Sequence, residues 1–302
     1  MSFLLAGPSI TELAREKVVI DLFRMKTFSQ CWEIWQPEIS RYLTEDPSPE
    51  TVLSLGGKLR DVFKTTKPAN RDQKAVSGGG ATWEALVCYY LNLCLIGSNA
   101  VVFKKNSHIP SRILDAVRVS YGNVAANTES DLIAVTFPDD PCELEKPLAK
   151  REPVLNRLEE ITHSRLNETQ VTIIQCKTNW NDNAQIPMLW DMVYQAGESS
   201  NKRVNVGSQN VSPSDFKHFS YAFVTVPSNK LETFKTTSLP VKRVSELSGG
   251  NYWGLESKQG IAKGLREIFS VGRIGKDNGR SIHSVLEQTL PSLKSEFKYF
   301  RL

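Results

Sequence analysis

The residues of this 302-residue chain best able to do chemistry lie where a buried strand runs out into polar side chains. Thr169 to Trp180 reads TQVTIIQCKTNW. Val171, Thr172, Ile173 and Ile174 are β-branched and mostly apolar, the composition of a short buried strand. That strand ends in Gln175-Cys176-Lys177. An amide and an amine two positions apart leave a strand on the same face. Upstream, Ser130-Asp131-Leu132-Ile133-Ala134-Val135 reads as a second apolar strand with one acid at its entrance. Asp131 offers a charged oxygen, the Gln175 amide a neutral one, and Lys177 an ammonium. Oxygens of this kind suit a hard cation that keeps several waters and needs only one or two protein acids. An ammonium beside them favours a hydroxide and stabilises developing negative charge. Asp115, beside the predicted strand Leu114–Tyr121, is the rival for the acid.

An acid on one strand followed by (Glu/Gln)-x-Lys on the next resembles the PD-(D/E)xK nuclease fold. The variant with Gln in place of the second acid occurs among type II restriction endonucleases. The resemblance spans residues 78–226. It implies a Mg²⁺-dependent endonuclease that hydrolyses phosphodiester bonds of double-stranded DNA at a specific site, the metal lowering the pKa of the attacking water. It further implies that Asp131, Gln175 and the backbone carbonyl of Cys176 hold the metal, the Cys176 side chain facing the opposite side of the strand. Lys177 would sit beside the nucleophilic water. Glu84, in a helix beside the active strand, would restore the negative charge that Gln175 lacks. An acid in a first helical turn is also favoured by the helix dipole alone, so that simpler role stays open. A homodimer is implied, because two sites related by a twofold axis can cut both strands. A cognate methyltransferase would act separately. Two features depart from the family pattern: Ser130 stands where the pattern has Pro, and the gap from Asp131 to Gln175 is long enough to insert a helix near Val154–Leu166. Two other readings are a structure-specific repair or phage nuclease of the same fold, and a non-catalytic DNA-binding protein in which Gln175 records a decayed site.

For DNA contact the candidates flank the active strands. Asn179, Asn181 and Asn183 follow Lys177, and Asn can pair bidentately with adenine or bind phosphate, although turns favour Asn as well. Lys104 with Lys105, and Lys202 with Arg203, are candidate phosphate contacts or a solvated basic surface. The net charge of +4 permits a polyanion partner without demanding one. Four scattered histidines (His108, His163, His218, His283) and the absence of any CxxC pair exclude the usual zinc arrangements. No GxSxG sequence supports an α/β-hydrolase. The run Ser77-Gly78-Gly79-Gly80 lacks the partners of a phosphate-binding loop and reads as flexible backbone before a helix. Five cysteines without ligand spacing fit a reducing cytoplasm. No stretch approaches the roughly 18 apolar residues of a membrane span, and the N-terminus lacks a signal peptide's basic region.

Periodicity places the elements that must position these residues. Ser9 or Thr11 caps a helix from near Ile10, with Leu13, Val18, Val19, Leu22 and Phe23 on one stripe. Further helices are predicted over Gln30–Leu43, kinked or ended by Pro37, and over Pro49–Phe63. Ala81–Ile96 is a strongly apolar helix carrying Glu84, with Cys88 and Cys94 in its buried face. Strands are predicted over Asn99–Lys105 and Tyr221–Val226, with a short one at Lys242–Val244 before a turn at Gly249–Gly254. Helices are predicted over Ile186–Gln195, Ile261–Phe269 and Ser281–Phe297. The order predicts one α/β domain with a mixed central β-sheet flanked by helices, restriction-endonuclease-like. Within it, residues 77–228 form the catalytic core, and residues 1–76 and 229–302 are helical additions, the first a supporting or dimerisation layer.

Overall fold

The computed structural model of the chain describes residues 8–66, 73–126, 130–139, 151–178, 204–226, 234–245, 250–271, 274–275 and 280–302. The chain is an α/β protein with a mixed six-stranded sheet. Its strands are β1 (Ala100–Phe103), β4 (Leu132–Thr136), β5 (Gln170–Lys177), β7 (His218–Thr225), β8 (Asn251–Trp253) and β9 (Lys263–Gly264), in that spatial order. The first three strands are antiparallel, and β7, β8 and β9 continue parallel to β5. A smaller antiparallel sheet joins β2 (Val119–Tyr121), β3 (Val124–Ala126) and β6 (Val204–Val206). Strand β5 is central because its side chains are apolar on both faces: Val171, Ile173 and Ile174 are fully buried.

Helices cover both faces. Helix α1 (Ile10–Arg24) starts at Ser9, whose hydroxyl accepts the Glu12 amide at 3.2 Å. Arg15 of α1, fully buried, donates to the carbonyls of Ser98 at 2.9 Å and Ala100 at 2.7 Å, tying α1 to the start of β1. Helix α2 (Lys26–Leu43) runs through Pro37. The missing amide costs one hydrogen bond, and buried Trp35 and Ile39 on either side hold the helix in place. The predicted helix Pro49–Phe63 is divided into α3 (Pro49–Ser54), a 3₁₀ turn at Leu55–Lys58 and α4 (Leu59–Lys64). Helix α5 (Gln73–Cys94) packs across β1 and β5. Phe103, on the other face, lines a small cavity with Ala14 of α1 and with Val154 and Leu158 of α7 (Arg151–Ser164). The N-terminal helices, α5 and the C-terminal tail share one core, with the Tyr89 ring tilted against Trp32 at 4.6 Å between centroids and its hydroxyl donating to the Phe300 carbonyl at 3.0 Å.

Several expectations are corrected. Ser77–Gly80 lies inside α5, because a helix anchored by the buried run after Ala81 propagates backwards at a cost of about 1 kcal/mol per Gly. Leu114–Tyr121 is not one strand: α6 (Ser111–Ala116) precedes β2, so Asp115 sits on a helix. Lys242–Val244 belongs to a helix, Leu239–Ser245, while Asn251–Trp253, expected in a turn, is β8. Pairing with β7 overrides the turn preference of the adjacent glycines. Ile261–Phe269 is divided among β9, a 3₁₀ turn and a short helix at Ile268–Val271. Helix Ile282–Thr289 accounts for the first half of Ser281–Phe297. Ile186–Gln195 lies outside the described residues.

Candidate functional site at the end of strands β4 and β5

The sheet register brings the acid and the amine together. Leu132 pairs with Ile174, so one further residue along each strand sets Asp131 opposite Gln175. The Asp131 carboxylate Oδ2 accepts the Cys176 backbone N–H at 2.7 Å. The same oxygen lies 3.9 Å from the Lys177 ammonium, and the two side chains are 20% and 19% exposed. An extended residue directs its N–H and C=O to the same side, so the Cys176 carbonyl also faces the Asp131 side of β5. Alternation places Gln175 and Lys177 on one face and Cys176 on the other. Gln175 is only 2% exposed.

Glu84 reaches the same end of the sheet from α5, where its carboxylate forms an ion pair with Lys104. Lys104 leaves β1 immediately after Phe103, which pairs with Ile133, so Lys104 lies alongside Leu132. By alternation it shares the α5 face with Val102, Leu132, Ile174 and Cys176. Glu84 and Lys104 are 20% and 14% exposed, so Lys104 is not a surface cation. The electrostatics join the two pairs. Burial raises the Asp131 carboxyl above its ordinary value; Lys177 and the Cys176 N–H oppose this, Glu84 adds to it and Lys104 counters it. The Cys176 thiol is pushed well up by burial and then by Asp131 and Glu84, so it is an inert neighbour and not a nucleophile.

The remaining candidates lie elsewhere. Lys105 pairs with Asp21 at 3.0 Å, an acid that His108 also contacts at 2.9 Å and Arg24 at 2.9 Å. Apart from Arg24 on its own helix, the partners of Asp21 stand 84 and 87 residues away, so no local pattern announces this cluster. Burial raises its pKa, but His108, Lys105 and Arg24 together outweigh that and bring it to about 2. A depressed carboxyl contributes stability that is present above its unfolded value near 4 and is lost as pH falls through 2. Asp21→Asn is therefore expected to cost about 1–2 kcal/mol at neutral pH, with the difference from wild type closing between pH 4 and 2 in denaturant melts. Asp115 accepts from the Ser208 hydroxyl at 2.9 Å and pairs with Arg118 at 3.4 Å, which gives it a structural role in joining α6 to the β6 region. Thr225, fully buried and in register with Lys177 across the β5–β7 pair, is a site neighbour that its surrounding apolar strand had concealed. Asn179, Asn181, Asn183, Lys202 and Arg203 lie outside the described residues.

The donors present fit a hard cation. Asp131, Glu84 and the Cys176 carbonyl are all oxygen donors, the chemistry Mg²⁺ selects. Among the described residues no group of three or more His, Cys, Asp and Glu side chains is placed to hold a metal ion. A cation here would depend on two carboxylates, backbone oxygen and water, a donor count that suits Mg²⁺ and not zinc. The two acids face two lysines, so the cluster is close to neutral. Among the described residues no helix is long and apolar enough to cross a membrane. Cys31, Cys88, Cys94 and Cys176 are free thiols. No protein-family model matches the chain, and no curated protein matches it either.

Proposed function

We propose that the chain is a Mg²⁺-dependent endonuclease that hydrolyses phosphodiester bonds in double-stranded DNA, in the manner of type II restriction enzymes. The observation that carries this reading is Asp131 beside Lys177 at the ends of two paired strands, with Glu84 and Lys104 close enough to influence the Asp131 charge. Asp131 anchors the site twice, through its charge and through the Cys176 N–H that fixes its carboxylate. Lys177 holds an ammonium where negative charge develops on phosphate, and being part-exposed it is accessible to a substrate. Glu84 adds the second negative charge. Mg²⁺, when bound, would polarise the phosphate and acidify the attacking water.

Asp131 supports this reading for a further reason. A carboxyl whose pKa is raised by burial destabilises the folded state once it ionises, so stability falls as pH rises through that value. An acid held against stability is characteristic of functional sites. Gln175, nearly fully buried on the face opposite Cys176, is the feature that favours the decayed-site reading instead. Incubation of the purified protein with plasmid DNA and Mg²⁺ tests the proposal. Discrete fragments that vanish with EDTA are the expected result. Smears or cutting confined to branched DNA would indicate the repair-type enzyme, and DNA binding without cutting would indicate the non-catalytic protein. The same reading makes the protein a homodimer, which sedimentation at micromolar concentration checks.

A further inference from the structure

We infer that Lys104 is a built-in counter-cation of the site, held on Glu84 while no metal is present and displaced from it when a divalent cation enters. This rests on the nuclease reading, which assigns Glu84 to the metal. Two carboxylates, Asp131 and Glu84, lie at the same end of the sheet, near enough for Glu84 to add to the rise of the Asp131 carboxyl, and both are largely shielded from water. Bringing like charges together in a poorly solvated site is costly unless a cation sits between or beside them.

The fold supplies that cation from β1. Four buried residues, Ala100 to Phe103, deliver the chain to Lys104, and the register with β4 aims its side chain at the α5 face. There its ammonium meets the Glu84 carboxylate. The neighbouring Lys105 takes the other face and is spent on Asp21, so the two adjacent lysines have separate tasks. The Lys177 ammonium neighbours Asp131, so each of the two acids has its own lysine.

A divalent ion bound by Glu84 and Asp131 brings the charge that Lys104 now provides. Keeping Lys104 on Glu84 would then place an ammonium against the metal. Lysine suits such an exchange better than arginine, because its charge is a compact point on a flexible four-carbon stem and its contact is not bidentate. The pair therefore competes with the metal and lowers its affinity in the absence of substrate.

The probe is Mn²⁺, which takes the same oxygen ligands as Mg²⁺ and is counted by the electron spin resonance of the free aqueous ion. Titrations are made without DNA on wild type, Lys104→Met, Lys104→Arg, Glu84→Gln and the double variant Lys104→Met with Glu84→Gln. Lys104→Met is expected to bind Mn²⁺ on the order of tenfold tighter than wild type, about the effect of removing one partly shielded competing charge. Lys104→Arg should stay at or below wild-type affinity, and the gain from Lys104→Met should vanish in the Glu84→Gln background. Lys104→Gln, which keeps a polar group beside α5, replaces the Met variant if that one does not fold. Equal or weaker binding by the folded, charge-free variant would overturn the inference and make the pair a plain tether between α5 and β1. If wild type binds Mn²⁺ and cuts DNA in that case, the nuclease reading survives. If neither wild type nor any variant binds Mn²⁺, the inference and the metal-dependent reading fall together.

Discussion

Lys177→Ala is expected to lower the rate of DNA cleavage by about 10²–10³-fold or more while changing DNA affinity only severalfold. Lys177 closes β5, is 19% exposed, and holds its ammonium 3.9 Å from the Asp131 carboxylate. A charge placed there matters most when the phosphate gains negative charge, a moment that contributes to the rate and little to ground-state binding. The stability cost should be small, since a part-exposed pair at this separation is worth about 0–1 kcal/mol. Lys177→Arg separates charge from geometry: the planar guanidinium keeps the charge, but its fork cannot reproduce a compact ammonium, so activity should recover only in part. The measurements are single-turnover cleavage, DNA binding in Ca²⁺ and a thermal melt on the same preparations. Cleavage by Lys177→Ala at near the wild-type rate would remove the central claim.

Asp131→Asn is expected to abolish cleavage and metal binding together, while Asp115→Asn keeps both. The Asn amide oxygen can still accept the Cys176 N–H that the carboxylate accepts at 2.7 Å, so the end of β5 stays pinned and only the charge is lost. Because ionising Asp131 in its buried position works against folding, the Asn variant should melt at or above the wild-type temperature at neutral pH. A stable, inactive protein is a specific outcome, since most losses of activity through misfolding come with a lower melting temperature. Asp115, by contrast, bonds Ser208 and Arg118, so its Asn variant should affect stability modestly and cleavage hardly at all. If Asp115→Asn were the inactive variant and Asp131→Asn the active one, the site would have been placed on the wrong element.

Much of the framework was legible locally. Thr169–Lys177 announces a strand because four successive β-branched residues, Val171 to Ile174, fill its middle, and the structure makes it the central β5, buried on both faces. Ser9 ahead of an apolar stripe announces α1, and its hydroxyl caps that helix. The juxtaposition of Asp131 with Lys177 followed from reading two consecutive apolar strands as neighbours, a pairing that sequential strands usually adopt. What the residues could not disclose by themselves was anything decided between distant segments. Whether Lys104 faces DNA or Glu84 depends on which side of β1 receives α5, which only packing settles. Asp21 gathers Lys105, His108 and Arg24 from two separated elements by the same means. The glycine run before Ala81 and the Asn251–Trp253 segment carry turn-like composition, yet they are helix and strand. Burying the elements they extend outweighs local preferences of at most about 1 kcal/mol per residue.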